Sequence, residues 1–176
     1  MSKIKELNIK TAMPSDASAL AELSEKTFIE AFAKLNKKED FESYVSDSFT
    51  ENKIKSEILE KKSLFFIAKI KDQFVGYAKI CQSSPPECVR LLPAIELSRL
   101  YSLKRYWGYG IGHALMETCI EHARNKTFKS IWLGSWKENS RGNAFYKKKY
   151  FEIVGSKTFA LGSDIQKDHI FTKLLV

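Results

Sequence analysis

Ile95-Glu96-Leu97-Ser98-Arg99-Leu100-Tyr101-Ser102-Leu103, followed by Trp107-Gly108-Tyr109-Gly110-Ile111-Gly112, decides the fold of this chain. The first part is β-rich and predicts a strand. From Gly110 onward Ile111, Leu115, Cys119 and Ala123 recur every four residues, which predicts a helix. The glycines therefore sit where a strand hands over to a helix. Such a turn brings several backbone N–H groups and the positive end of the helix dipole to one point, a ready site for phosphate. Glycine permits the close approach and the positive φ this needs. The spacing is G-x-G-x-G. It departs from the dinucleotide pattern, where His113 stands in place of the third glycine, and it lacks the Gly-Lys-Ser/Thr ending of a phosphate loop.

Upstream, a first strand is expected over residues 4–10, then cap chemistry at Pro14-Ser15-Asp16 and a helix through Leu20, Leu23, Phe28, Ala31, Phe32 and Leu35. A polar break at 36–40 precedes a helical stretch with Phe41, Tyr44 and Val45. Thr50 caps a third, with Ile54, Ile58 and Leu59. Residues 64–70 and 73–80 are β-rich runs around Lys71-Asp72 and predict a hairpin. Ser83-Ser84-Pro85-Pro86 opens a loop to Pro93, the expected mobile segment. Downstream come a strand at 130–136, Asn139 as an N-cap, a helix over 144–149, and closing strands at 152–158 and 169–175. The pattern is a mixed α/β chain folding as one domain over residues 1–176.

The composition, 44% hydrophobic with 12% aromatic residues, is enough to bury a core and excludes a disordered chain. No apolar run approaches the roughly 18 residues of a membrane span, and Met1-Ser2-Lys3-Ile4-Lys5-Glu6 has no signal-peptide core, so a cytoplasmic protein is expected. Cys81, Cys88 and Cys119 make neither a disulfide framework nor a metal spacing, and Cys119 is expected as a small buried hydrophobe. His113, His122 and His169 show no ligand spacing either, so no metal is expected. Residues 1–64 carry 11 basic and 12 acidic side chains, and residues 65–176 carry 18 and 9, so the whole excess of +8 lies after residue 64. A field of that sign attracts a nucleic acid or a small ligand with several phosphates.

The glycine turn with its flanking strand and helix resembles the Q/R-x-x-G-x-G/A motif of the GNAT acetyltransferase superfamily. Gly110 and Gly112 align with the motif glycines, and Trp107 replaces the first Arg or Gln. Arg105 to Gly110 also satisfies the pattern, but that frame misplaces the helix start. A second block matches in Asn139, seven residues before Tyr146, which follows Phe145; the usual closing Gly-Phe is Tyr150-Phe151 here. The stretches 131–139 and 144–148, with Leu23-Ser24 and Thr27-Phe28, look like the bacterial spermidine/spermine N-acetyltransferases of the PaiA type.

That resemblance implies the GNAT fold, a central, mixed, mostly antiparallel twisted sheet flanked by helices, and acetyl-CoA as co-substrate. It implies cofactor contacts from the backbone at Tyr101, Ser102 and Leu103, from the turn at Trp107, Gly108, Tyr109, Gly110, Ile111, Gly112 and His113, and from Asn139, Tyr146 and Lys148. Tyr146 becomes the acid that serves the leaving thiolate, against the alternative of an aromatic packed on the sheet. Glu96 becomes the base, against a buried structural ion pair. Strict alternation would place Glu96, Ser98, Leu100 and Ser102 on one face of their strand and Leu97, Arg99, Tyr101 and Leu103 on the other. The acceptor implied is a primary amine, spermidine or spermine by the narrower resemblance. Glu30, Glu39, Asp40 and Asp47 are the carboxylates offered for it. A peptide N-terminus or amino sugar meets the same chemical demands. A regulator that binds acyl-CoA or nucleic acid without turnover is the reading from another class; no nucleic-acid motif supports it. No membrane partner is expected, and a homodimer is left open.

Overall fold

The computed structural model describes residues 6–175. The elements run β1 (Leu7–Thr11), α1 (Ala17–Phe32), α2 (Lys38–Ser48), α3 (Glu51–Leu59), β2 (Ser63–Ile70), β3 (Gln73–Cys81), β4 (Ala94–Ser102), α4 (Ile111–Asn125), β5 (Ser130–Trp136), α5 (Ser140–Lys148), β6 (Glu152–Leu161) and β7 (Asp164–Leu174). Ile4 and Lys5 of the expected first strand lie outside the described residues. The seven strands form one sheet in the order β1-β2-β3-β4-β5-β7-β6. Every neighbouring pair is antiparallel except β4 with β5. The expected sheet and helices are thus present.

Two apolar layers hold the sheet. On one face α4 buries Ile111, Leu115, Met116, Cys119, Ile120 and Ala123 against Ala78, Ile80, Ile95, Leu97, Ile131 and Leu133. Cys119 is fully buried, and desolvation pushes its thiol up, as suits a packing residue. On the other face α1 and α3 bury Leu20, Leu23 and Ile54 against Phe65, Ile67 and Tyr77. Ser24 and Thr27 are buried in α1 because each hydroxyl donates to the carbonyl one turn earlier, Leu20 at 2.7 Å and Leu23 at 2.8 Å. Thr50 caps α3, accepting from Lys53 N at 3.3 Å.

Four sequence expectations change. Helix α5 begins at Ser140 rather than 144, because the Asn139 side chain accepts from Gly142 N at 3.0 Å and starts the helix a turn earlier. β6 and β7 are longer than expected and meet in a tight turn, where Gly162 takes φ +60°. The loop before β4 is anchored: Val89 is 3% exposed, and Ser130 Oγ donates to Leu91 O at 2.6 Å.

The fourth correction concerns β4. Lys79 pairs with Arg99 but Ile80 pairs with Leu97, so Ser98 is an extra residue in the ladder. A bulge reverses the alternation on one side of it. Leu97 and Leu100 therefore share the α4 face, and Glu96 shares the α1 face with Arg99 and Tyr101. Beneath that face Glu57 accepts from Arg99 at 2.7 and 3.0 Å and pairs with Lys79 at 3.1 Å, tying α3 to β3 and β4.

Burial opposes the charge on Glu57, but Arg99 and Lys79 outweigh it and hold the carboxyl below its usual range. A depressed carboxyl stabilises the fold fully above the unfolded value of about 4.3 and loses that contribution as pH falls through the folded value. Glu57→Gln should cost about 3 kcal/mol in urea unfolding at pH 7, the low end for a broken buried ion pair. The gap from wild type should shrink below about pH 4.

Candidate active site

β4 and β5 pair only at Ala94–Ser130, Ile95–Ile131 and Glu96–Trp132. Beyond Glu96 the two strands part, while β4 stays on β3 to Ser102 and β5 stays on β7 to Trp136. The result is a slot in the middle of the sheet. The ladder phase says which backbone groups face it. Leu103 N donates to Val75 O at 2.9 Å, so Tyr101 and Leu103 direct their polar groups at β3. Leu100 and Ser102 direct theirs at the slot. The sequence reading assigned Tyr101, Ser102 and Leu103; only Ser102 of the three faces the opening, and Leu100 joins it.

At the end of the slot the glycine turn takes the form its sequence requires. Gly108 has φ +87° and Gly110, the N-cap of α4, has φ +90°, both in the left-handed region. The first intrahelical bond of α4 is Ala114 N to Gly110 O at 2.9 Å, so the amides of Ile111, Gly112 and His113 precede it and point out of the helix start. Trp107, the position lacking the motif's Arg or Gln, pins the turn: its Nε1 donates to Ser102 O at 2.9 Å. The cation comes from elsewhere. Arg141 of α5 lies over the Trp107 ring, 3.6 Å from its centroid, with Lys104 Nζ at 5.9 Å. Partial burial against the turn lowers the Arg141 pKa, while the residue as a whole stays exposed. Arg141 carries no motif signal, and only the packing of α5 beside the turn reveals it.

The other anticipated residues take definite places. The Asn139 carbonyl oxygen is used as the α5 cap, and Asn143 beside it fastens α5 to β5, accepting from Ser135 Oγ at 2.8 Å and donating to Trp136 O at 3.1 Å and Lys137 O at 3.0 Å. Lys148 is exposed. Lys149, rather than Lys148, reaches the first turns of α4, contacting His113 Nδ1 and lying 3.5 Å from Glu117. Glu30 accepts from Lys104 N at 2.6 Å and Asp40 accepts from Ser163 Oγ at 2.7 Å, so both serve structural joints. Among the described residues no three His, Cys, Asp or Glu side chains gather to hold a metal, and no helix is long and apolar enough to cross a membrane.

Tyr146 packs its ring on Phe145, Phe151 and Phe171 on the α4 face. Burial pushes its phenol well up, so it stays protonated at neutral pH. Tyr101 sits on the other face and is likewise raised by burial, then by the nearby phenols of Tyr77, Tyr146 and Tyr44. Glu96 accepts from Ser83 Oγ at 2.6 Å and lies 3.5 Å from Cys81 Sγ, at the point where the strands diverge. On its face Phe32 bridges the gap, 6.2 Å from Tyr101 and 6.3 Å from Trp136 by ring centroids.

The family model described as Acetyltransferase (GNAT) family matches residues 20–150, from α1 through the turn to the end of the Tyr146 segment. The chain belongs to the GNAT acetyltransferase family. As a GNAT member it is an acetyl-CoA-dependent N-acetyltransferase. Curated relatives agree in kind: an uncharacterized N-acetyltransferase of Lactobacillus delbrueckii subsp. lactis is 29% identical over 154 residues, covering 88% of this chain and 89% of the relative. Another, of Mycobacterium tuberculosis, is 28% identical over 162 residues, covering 92% and 99%. Among solved structures, a PaiA N-acetyltransferase of Thermoplasma acidophilum in complex with coenzyme A shares the fold with a TM-score of 0.76 at 22% identity, over 99% of both chains. A GCN5-related N-acetyltransferase of Rhodopseudomonas palustris gives 0.77 at 18% identity, over 99% of this chain and 97% of that one.

The two motif glycines of this GNAT turn should respond differently to alanine. Gly110→Ala forces a Cβ into the left-handed region and should cost about 1–2 kcal/mol in thermal unfolding. Gly112 is helical, and an added Cβ would meet only the Phe145 ring at 3.8 Å. Gly112→Ala should leave stability unchanged or raise it by up to about 1 kcal/mol.

Proposed function

We propose that this GNAT enzyme acetylates a primary amine of the polyamine class by direct attack on the acetyl-CoA thioester, with Tyr146 serving the leaving sulfur. The observation that carries the reading is the slot between β4 and β5, with a protonated phenol beside it and an aromatic face behind it. The amides of Ile111, Gly112 and His113 at the turn, with Arg141 and Lys104, would take the pyrophosphate. The amide groups of Leu100 and Ser102 would pair with the pantetheine arm as an added strand does. One of these N–H groups would then face the thioester oxygen as negative charge grows there.

Acetyl-CoA supplies a thioester; the amine nitrogen forms the new C–N bond, the C–S bond breaks, and the proton lost by nitrogen balances the one gained by sulfur. An alkyl ammonium has a pKa near that of lysine, about 10.4, so a base must take its proton before attack. Glu96, at the head of the slot on the acceptor side, would take that role directly or through water. A phenol with a pKa above that of a thiol, about 8.5, acts mainly by donating a hydrogen bond to the departing sulfur. Polyamines fit the aromatic acceptor face, which attracts cations. The sequence resemblance of residues 131–139 and 144–148 to spermidine/spermine N-acetyltransferases of the PaiA type supports the same substrate class.

Tyr146→Phe should lower kcat about 100-fold, with the dissociation constant for acetyl-CoA unchanged. CoA release from acetyl-CoA and spermidine reads both turnover and substrate class. Wild-type turnover in Tyr146→Phe would refute the acid assignment, and no release with spermidine would refute the polyamine assignment.

A further inference from the structure

Asp168 is 9% exposed, and no hydrogen bond or ion pair reaches its carboxylate among the described residues. A buried carboxylate without a partner is costly, and proteins seldom leave one so. Its register fixes where it points. Asp168 lies opposite Trp136 on β5 and opposite Lys157 on β6, and directly opposed residues of antiparallel strands share a face. That face is the acceptor side, where Trp136 meets Phe32 and Phe32 meets Tyr101. Next to it on β5, Gly134 supplies no side chain, and a Cβ there would stand 3.3 Å from Asp168 Oδ2. The carboxylate oxygens are not sealed from solvent.

We propose that Asp168 anchors a second ammonium of the acceptor, holding a di- or polycationic amine along the aromatic cluster of Phe32, Tyr101 and Trp136. The proposal rests on the acetyl-transfer site described above. The attacking nitrogen must be neutral, so a carboxylate held apart from the slot is of most use to a nitrogen that stays charged. The aromatic rings between slot and carboxylate suit the methylenes and cations of such a chain. Lys157 is the nearby cation: a Cβ at Gly134 would stand 3.1 Å from its Nζ as well as 3.3 Å from Asp168 Oδ2, and its charge opposes the effect of burial on Asp168 without coming within ion-pair distance, so the carboxylate stands where an ammonium is accommodated. Burial raises the Asp168 pKa, against the opposing pull of Lys157 and His169, so a bound cation would relieve a real cost.

The test is steady-state kinetics of the full chain at saturating acetyl-CoA, with spermidine and butylamine as acceptors. Wild type should prefer spermidine. Asp168→Asn should raise the spermidine KM roughly tenfold or more, leaving the butylamine KM and acetyl-CoA KM unchanged, and Asp168→Glu should restore part of the loss. Gly134→Ala supplies a second variant should Asp168→Asn fail to fold. Its methyl clashes mainly with the flexible end of Lys157, at 2.8 Å, and crowds the carboxylate. It should raise the spermidine KM alone. If wild type prefers spermidine and both variants keep that preference, the anchor is wrong and the polyamine reading stands. An equal rise for butylamine also overturns the anchor. If wild type shows no preference for spermidine, both are overturned.

Discussion

Two parallel strands that pair for three residues and then separate leave backbone donors and acceptors inside a sheet with no strand to bond, though Ser102 O finds a side chain, Trp107 Nε1. Buried peptide groups do not stay that way without cost, and the surroundings of the β4/β5 slot follow from that constraint. β4 remains fixed on β3 by its ladder and β5 on β7 by its own, so the opening cannot close by simple strand slippage. Helix α4 packs across the sheet with its N-terminus at the mouth. Helix α5 is fastened to the end of β5 by Asn143, which brings Tyr146 and Arg141 to the same place. A ligand with amides of its own and a phosphate at one end satisfies both the slot and the turn.

The two sides of the slot differ in chemistry. The α4 side offers dipole, amides and a guanidinium, suited to an anion. The α1 side offers Phe32, Tyr101 and Trp136 with Glu96 and Asp168, suited to a cation. The bulge at Ser98 connects the two, because it turns Glu96 onto the face that carries Arg99 and Tyr101. Were Ser98 to take a regular place in the ladder instead of bulging, strict alternation with Leu100 would aim the carboxylate at the α4 core.

Much of this was legible in the sequence because it is local. The hairpin around Lys71-Asp72, the four-residue recurrence after Gly110, the glycine turn and the Asn139 cap each depend on neighbours within a few positions. What escaped depends on register or distance. A bulge breaks the period of two without altering residue type, so Ser98 looked like an ordinary alternating position. Asp168 is one acidic residue in a polar stretch until pairing with Trp136 and Lys157 gives it a face. Arg141 gains meaning only when α5 lies against Trp107, a ring 34 positions earlier in the chain. The net charge after residue 64 pointed to a polyanion, nucleic acid or a small ligand with several phosphates, yet could not say which, nor which cations meet it.

The central claim is that the slot and the glycine turn together receive the coenzyme. Amide hydrogen exchange, with and without coenzyme A, tests it most directly. The account expects slowed exchange at Leu100, Ser102 and from Gly108 to His113, with the β2/β3 hairpin unchanged. Protection confined to other segments, with the turn and β4 exchanging at their free rates, would contradict it.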